Sequence, residues 1–128
     1  MTWKPEGYPA VSPYLVVTGA EETLDFLDAV FGATLLRRFD TPEGEVMHAE
    51  VRIGDSVVMI GEAGGEWRPV PAFVHVYVSD VDATYRRALT AGAEEVQPPE
   101  RRDGDPDRRG GFRDPGGNTW WVATQGGA

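Results

Sequence analysis

The chain has 128 residues, enough for one domain with a single core and too few for two independent domains. Its formal charge of −9 would repel the phosphate backbone of a nucleic acid, and the absence of cysteine excludes disulfides, thiolate catalysis and cysteine-based metal centres. No run approaches the roughly 20 apolar residues of a membrane-spanning helix. The N-terminal residues lack the charged-then-apolar order of a signal peptide, so we expect a cytoplasmic protein without nucleic-acid or membrane partners.

The predicted elements, taken in chain order, begin with the strand-like run SPYLVV at Ser12. An amphipathic helix of about 11 residues follows, with Leu24, Leu27 and Val30 on one face and Gly32 just past its end. Either Thr18 or Gly19 can cap its start. Extended stretches over residues 34–40, 46–53 and 56–60 are separated by turns at 41–44 and 54–55. The first half is therefore predicted to be β-α-β-β-β.

The second half repeats this order after a Gly- and Pro-rich linker over residues 61–72. The strand-like run FVHVYV starts at Phe73, a helix capped by Ser79 or Asp80 follows, and extended stretches cover residues 94–97, 109–113 and 119–124. The polar stretch 98–108 is expected to be a loop, either a lid or a mobile surface segment. The sequence predicts one domain over residues 1–128, with module 1 at about 11–61 and module 2 at about 72–125.

Strand alternation assigns side chains to a helix-facing row and a cup-facing row. Met47, Ala49, Val51 and Ile53 form an apolar row expected to pack under the helices, and Trp120 should also face them. Aromatic walls with a few polar groups are typical of small-molecule sites. The opposite rows give the predicted ligand-binding set: Ser12, Tyr14, His48, Glu50, Arg52, Met59, Phe73, His75, Tyr77 and Trp121. Each polar member also has a structural interpretation: the histidines as hydrogen-bonded strand residues, and Glu50 as an ion-pair partner of Arg52 or a neighbour.

Four motifs carry a resemblance to a known family. They are SPYLVV with a helix ending FGA at 31–33, HAEVRIGDSVVMI at 48–60, HVYVSDVDA at 75–83 and GGFRDPGGNTWWVAT at 110–124. They resemble the vicinal oxygen chelate superfamily, the glyoxalase, bleomycin-resistance and dioxygenase group, and within it the PhnB-like branch. The resemblance covers about residues 11–124. It implies an α+β fold in which two tandem β-α-β-β-β modules form a cupped, open barrel-like mixed sheet.

The resemblance also implies where a metal would be bound. In the metal enzymes of this group the ligands come from the first and last strands of each module, at positions matching Ser12, Met59, Phe73 and Trp121. Divalent metals prefer imidazole or carboxylate donors, which this quartet lacks, so we expect no metal and no other cofactor. An alternative is a metal held in a different arrangement by His48, Glu50 and His75.

Three functions are compatible with these residues. The first, implied by the bleomycin-resistance branch, is metal-independent binding that sequesters a planar or aromatic metabolite or antibiotic. The second is a glyoxalase-like lyase, isomerase or dioxygenase in which Glu50 or His48 is the general base, with or without a divalent metal. The third is an assembly role with a vestigial cup. We also expect a homodimer, because a two-fold partner can cover exposed sheet edges and the resemblance implies that such cups are often completed by a second chain.

Overall fold

The computed structural model describes residues 3–126. Its elements are, in order, β1 (Tyr14–Val17), α1 (Ala20–Phe31), β2 (Thr34–Asp40), β3 (Val46–Ile53), β4 (Ser56–Glu62), β5 (Phe73–Tyr77), α2 (Val81–Thr90), β6 (Glu94–Arg101), β7 (Asp107–Arg113) and β8 (Thr119–Gln125). The predicted β-α-β-β-β order is confirmed in both halves. Within this range, neither helix is both long and apolar enough to cross a membrane.

The strands form two four-stranded sheets, ordered β1-β4-β3-β2 and β5-β8-β7-β6. In each sheet the first and last strands of the module run parallel, and the other neighbours are antiparallel. Both sheets are therefore mixed, and the α+β fold class is confirmed. They do not close into a barrel, and between residues 3 and 126 no strand of one sheet pairs with a strand of the other.

The two halves share one hydrophobic core built around both helices. The Phe31 ring lies 5.3 Å from the Trp120 ring, and Phe26 lies 5.9 Å from Phe112, so α1 packs on aromatic residues of the second sheet. Trp120 is fully buried, as predicted. Because the helix-facing rows of both sheets enter this core, the opposite sheet faces lie on its outside.

The two helices are capped by different residues. Helix α1 begins after Gly19, and the backbone N–H groups of Gly19 and Ala20 donate to the Glu62 carboxylate at 3.0 and 2.8 Å. Helix α2 begins after Asp80, whose carboxylate accepts from the Ala83 N–H at 3.1 Å. The sequence pointed to Gly19 and Asp80 among its candidates. It did not reveal Glu62, which caps α1 from the end of a neighbouring strand.

Turns of unequal length distinguish the modules. Residues 54–55 connect β3 to β4, whereas the longer turn of residues 114–118 connects β7 to β8 and reaches α1. A Cβ on Gly116 would lie 2.9 Å from Val17 Cγ1 and 3.0 Å from Thr23 Oγ1. The short turn at residues 54–55 makes no such contact with α2. A cavity of about 600 Å³ remains there, bordered by residues 54–56, 74–79 and Thr84. The short turn thus leaves the side of β5 uncovered.

Two expectations about the strands are corrected. Met47 is 53% exposed and does not pack under the helices, because the β2–β3 register shifts between Phe39 and Asp40 and Val46 takes the buried place. The predicted loop 98–108 is mostly a hairpin: β6 continues to Arg101 and β7 starts at Asp107. Only residues 102–106 connect the two strands, so this stretch does not form the long lid considered from the sequence.

Candidate functional site

The predicted binding residues lie on two separate outer sheet faces. On the first sheet, Tyr14, Met59 and Glu50 are register neighbours across β1, β4 and β3. We call this side, with His48 and Arg52, the first face. On the second sheet, His75, Trp121 and Gly111 are neighbours across β5, β8 and β7 in the same way. This side, with Phe73, Tyr77, Asp107 and Arg109, is the second face.

Glu50 is the buried anion of the first face, with 6% of its surface exposed. Tyr8 donates its hydroxyl to Oε1 at 2.6 Å, and His48 Nε2 lies 2.8 Å from Oε2. Burial raises the Glu50 pKa, but the hydrogen bonds from Tyr8 and His48, with the charges of His48 and Arg37, outweigh it and hold the pKa below its ordinary value. Glu50 is therefore ionised near neutral pH and both of its oxygens have partners.

His48 connects Glu50 to Tyr14. A carboxylate can only accept, so the 2.8 Å contact requires a hydrogen on His48 Nε2. In that tautomer Nδ1 accepts from the Tyr14 hydroxyl at 3.2 Å. Glu50 thus orients the His48 ring, and His48 is better placed than Glu50 to take a proton from a molecule on this face.

The N-terminal segment, residues 3–13, crosses the first face. Arg52 donates to the Gly7 carbonyl at 3.1 Å, and the Arg37 guanidinium carbon lies 5.3 Å from the centre of the Tyr8 ring. The segment encloses a cavity of about 410 Å³ lined by Ser12, Glu50 and Met59 among others. A partly enclosed space therefore lies next to the buried carboxylate.

The second face carries a different polar cluster. Asp107 is 3% exposed, and its Oδ2 accepts from the Tyr77 hydroxyl at 2.7 Å and from Arg109 at 2.8 Å. Arg109 also contacts Asp105 and donates from Nε to His75 Nε2 at 3.3 Å. Burial and the charge of Arg109 lower the His75 pKa, although Asp107 and Asp105 oppose this. His75 is therefore a neutral acceptor near pH 7.

An aromatic ring lies against a glycine on each face. A Cβ on Gly111 would lie 2.6 Å from Trp121 Cε3, and a Cβ on Gly61 would lie 2.8 Å from the Tyr14 hydroxyl oxygen. The missing side chains let both rings lie close to the backbone. On the second face Phe73 and Tyr77 are also 80% and 64% exposed. This face therefore presents large aromatic side chains to solvent in a single chain.

The structure groups the predicted residues by sheet. Ser12, Tyr14, His48, Glu50, Arg52 and Met59 belong to the first half, and Phe73, His75, Tyr77 and Trp121 to the second. Of the four positions matched to the metal ligands of the family, Met59 has Tyr14 rather than Ser12 as its register neighbour, and Trp121 has His75 rather than Phe73. Within one chain the two groups do not form one continuous site.

The donors present do not fit a metal centre of the family type. Across residues 3–126 no three His, Asp or Glu side chains are grouped so that they could hold an ion. The alternative cluster of His48, Glu50 and His75 is wrong for one chain, because His75 lies on the other sheet and contacts Arg109. A thioether and aromatic rings at the remaining positions are poor ligands for the divalent metals of such enzymes.

Four polar residues of the faces were not predicted: Tyr8, Arg37, Asp107 and Arg109. Arg109 lies in the predicted stretch 109–113, and alternation from Gly111 would have placed it on the second face. Asp107 was missed because β7 starts at Asp107, two residues earlier than predicted. Arg37 lies opposite Glu50 on β2, a strand whose side-chain rows were not assigned from the sequence. Tyr8 precedes every periodic segment, so no sequence pattern indicates its position.

A family model described as "Glyoxalase/Bleomycin resistance protein/Dioxygenase superfamily" matches residues 10–122. The chain belongs to this superfamily. Two curated relatives are 37% identical over 123 residues, spanning 88% of this chain: the uncharacterized proteins Mb0911c of Mycobacterium bovis and Rv0887c of Mycobacterium tuberculosis, of which 80% and 72% are covered. The superfamily resemblance drawn from the motifs is thereby confirmed, and the branch within it is not resolved.

Solved structures of other proteins share the fold. TioX from Micromonospora sp. ML1 is 30% identical with a TM-score of 0.74, covering 91% of this chain and 99% of its own. The fosfomycin resistance protein FosX from Listeria monocytogenes, solved with Mn(II) and sulfate, is 17% identical with a TM-score of 0.71, covering 91% and 90%. At that identity the FosX likeness concerns the fold alone.

Proposed function

We propose that this chain is a metal-independent binding protein for a small planar aromatic molecule, a metabolite or an antibiotic. The observation that carries the proposal is the second face, where Trp121 lies flat against Gly111 beside the exposed rings of Phe73 and Tyr77. The polar groups beside these rings are mostly paired with one another through Asp107 and Arg109, and Asp107 Oδ1 is buried without a hydrogen-bond partner among the described residues. In small-molecule sites apolar walls give affinity and polar atoms of this kind give orientation.

Stacking on these rings supplies enough free energy for useful affinity. An offset-stacked aromatic pair contributes about 0.5–1.5 kcal/mol beyond area burial, and burial itself about 25 cal/mol per Å². Two or three ring contacts can therefore support micromolar binding after the cost of association. No metal is needed for such a complex, which agrees with the donor chemistry of both faces.

Removal of the Trp121 ring tests the proposal. Flat heteroaromatic compounds such as quinoline should bind the parent, and Trp121→Ala should weaken binding about tenfold because a stacking surface is lost. The measurement is calorimetric titration together with metal analysis of the purified protein. Unchanged affinity in Trp121→Ala, or stoichiometric metal, would contradict the proposal.

The other three tryptophans differ in their distance from the two faces. Trp67 lies 6.5 Å from the Tyr14 ring, and Trp3 lines the cavity beside Glu50, so the fluorescence of both can respond to a ligand on the first face. Trp120, buried in the core, is the tryptophan that a ligand on the faces does not touch.

We further propose a homodimer in which the first face of one chain meets the second face of its copy. Three observations support it: the two faces point away from one shared core, β1 and β5 are free sheet edges, and exposed aromatic residues occupy both faces. Joining β1 of one chain to β5 of the other would form a cup from both faces. Light scattering should give twice the 14.0 kDa of one chain, and a single species of one chain's mass at micromolar concentration would contradict it.

The second candidate is an enzyme of the glyoxalase type, a lyase, isomerase or dioxygenase. It is favoured by one observation, the chain of contacts in which Glu50 orients His48 towards Tyr14. His48 would be the general base, with Glu50 as its positioning residue. Turnover of a glyoxalase-type substrate that His48→Gln abolishes would favour this function over simple binding.

Membership of the PhnB-like branch and a cytoplasmic location stay predictions. Phylogenetic placement among superfamily sequences would test the first, and cell fractionation would test the second.

A further inference from the structure

Tyr8 brings a phenol ring onto the first face from outside the sheet. Its hydroxyl donates to Glu50 at 2.6 Å, and its ring lies under the Arg37 guanidinium at 5.3 Å. Next to it, the Gly7 carbonyl accepts from Arg52 at 3.1 Å. The three partners lie on strands β2 and β3, so the segment is attached to residues whose positions the sheet fixes.

The groups that contact Tyr8 can bind a free molecule that has the same chemical groups as the tyrosine side chain. A carboxylate that accepts an O–H hydrogen bond and a guanidinium over a ring face would hold any planar aromatic molecule with a suitably placed hydroxyl group. The Glu50 carboxylate would keep its orientation if Tyr8 left, because His48 Nε2 contacts its other oxygen at 2.8 Å. The same face therefore contains a preorganised site for a phenol-like ring.

The N-terminal segment is attached more weakly than a core element. It contains no helix or strand, and Trp3 and Val11 at its two ends are each 84% exposed. A cavity of about 410 Å³ already separates part of it from Glu50 and Met59. Displacing it would break few contacts compared with displacing a strand.

We propose that Tyr8 occupies the place of the ligand: the first face binds a planar aromatic ring carrying a hydroxyl group, and this ligand competes with Tyr8 for Glu50. The inference rests on the proposed binding function and adds the ligand class and a built-in competitor. A ligand without the hydroxyl would leave Glu50 Oε1 without a hydrogen-bond donor after Tyr8 is displaced, with only Arg37 Nε at 3.9 Å as a partner, which lowers the affinity of that ligand. The Tyr8 ring occupies the site for part of the time. The apparent affinity of every ligand is reduced in proportion, because only the fraction of protein with a free site can bind.

Two probes and two substitutions test this competition. The probes are 2-naphthol and 2-methoxynaphthalene, which share a ring system and differ in the hydroxyl hydrogen. Tyr8→Phe removes the hydrogen bond to Glu50, so both probes should bind severalfold more tightly than to the parent. The parent and Tyr8→Phe should each prefer 2-naphthol by about tenfold, and Glu50→Met should remove this preference. Calorimetric titration of both probes into the parent, Tyr8→Phe and Glu50→Met measures these affinities.

Tyr85→Phe is the matched control. The Tyr85 hydroxyl donates to Glu95 at 2.7 Å, a bond of the same type that joins α2 to β6 away from both faces. It should leave the affinity for both probes unchanged, and thermal unfolding of every variant should confirm that each is folded.

The outcomes separate this proposal from the binding function on which it rests. If the probes bind but Tyr8→Phe tightens neither, or if Glu50→Met keeps the preference for 2-naphthol, the competition is wrong while aromatic binding stands. If neither probe, nor quinoline, binds the parent or Tyr8→Phe, the binding function itself fails. Binding of 2-naphthol by Tyr8→Phe alone would support the competition directly, because it shows a site that the native phenol blocks.

Discussion

Glu50 is an anion at a nearly inaccessible position, and its partners determine how its charge affects stability. Its pKa lies below the ordinary value of 4.5, so its stabilising contribution is complete above that pH and is lost as the pH falls through the lowered pKa. We expect Glu50→Gln to reduce the free energy of unfolding at pH 7 by about 1–3 kcal/mol, because an amide replaces the acceptor of two hydrogen bonds. The difference between parent and variant should shrink below pH 4.5.

Urea unfolding at pH 7 and under acidic conditions checks this expectation. Glu94→Gln is a suitable control, since Glu94 is an exposed partner of Arg113 at 3.1 Å and its loss should matter little at either pH. A difference for Glu50→Gln that stays constant or grows as the pH falls would show that the carboxylate is not stabilised by Tyr8 and His48.

Asp114 is a second buried carboxylate and has a structural role. It accepts from Trp120 Nε1 at 2.7 Å and from the Asn118 N–H at 2.9 Å. Burial raises the pKa of Asp114, and these hydrogen bonds oppose the rise without cancelling it. Asp114→Ala leaves the indole N–H of a fully buried tryptophan without a partner, so we expect a loss of about 3 kcal/mol in unfolding free energy. Asp55→Ala, which removes an exposed contact with Ser56, should be close to neutral in the same denaturation experiment.

At the scale of elements, the 114–118 turn joins the second sheet to α1. A side chain on Gly116 would enter a contact that is already close-packed against Val17 and Thr23. Gly116→Ala should therefore lower the unfolding free energy by about 1–3 kcal/mol through overpacking. Gly64→Ala provides the control, because a Cβ there meets nothing within 4 Å. Equal thermal midpoints for the two variants would contradict the close packing of this turn.

Periodicity predicted most elements and most face residues, and it failed where local register or edge position decides the structure. His48, Phe73 and Tyr77 follow the two-residue period of their strands and lie where alternation placed them. Met47 does not, because the β2–β3 register shift moves it out of the row. Strand β6 continues through Pro98 and Pro99 because it is a sheet edge and its pairing with β7 is irregular between Gln97 and Glu100, where no regular ladder bond is lost.

The candidate site was less predictable than the fold. Alternation indicates which side of a sheet a residue occupies, but the contact between Tyr8 and Glu50 joins residues 42 positions apart through a segment without regular structure. The division of the aromatic residues between two outer faces depends on how the modules pack, which follows from Phe31, Phe112 and Trp120 meeting in one core. No single strand carries that information.

At the scale of the whole molecule, the two sheets are joined by packing of side chains rather than by shared strands. The surface that a single chain leaves open includes both aromatic faces and the side of β5 above the short turn at residues 54–55. These regions adjoin the free edges β1 and β5. A partner that pairs with the edge strands β1 and β5 therefore also buries the apolar surface beside them. Burial of that surface favours association at these two edges.

The separation of the sheets also sets an order of events during synthesis. All strand partners of the first sheet lie between Tyr14 and Glu62, so this sheet can be completed before most of the second half leaves the ribosome. The β2–β3 and β3–β4 turns close over short sequence separations, which lowers their entropic cost, whereas β1 pairs with β4 from Tyr14 to Met59 across the rest of the module. Phe26 and Phe31, however, meet their aromatic partners only when Phe112 and Trp120 have been made. The nascent chain can therefore carry a finished sheet with α1 packed on β3 and β4, and the contact of α1 with the aromatic residues of the second sheet is the step that waits for the last strands.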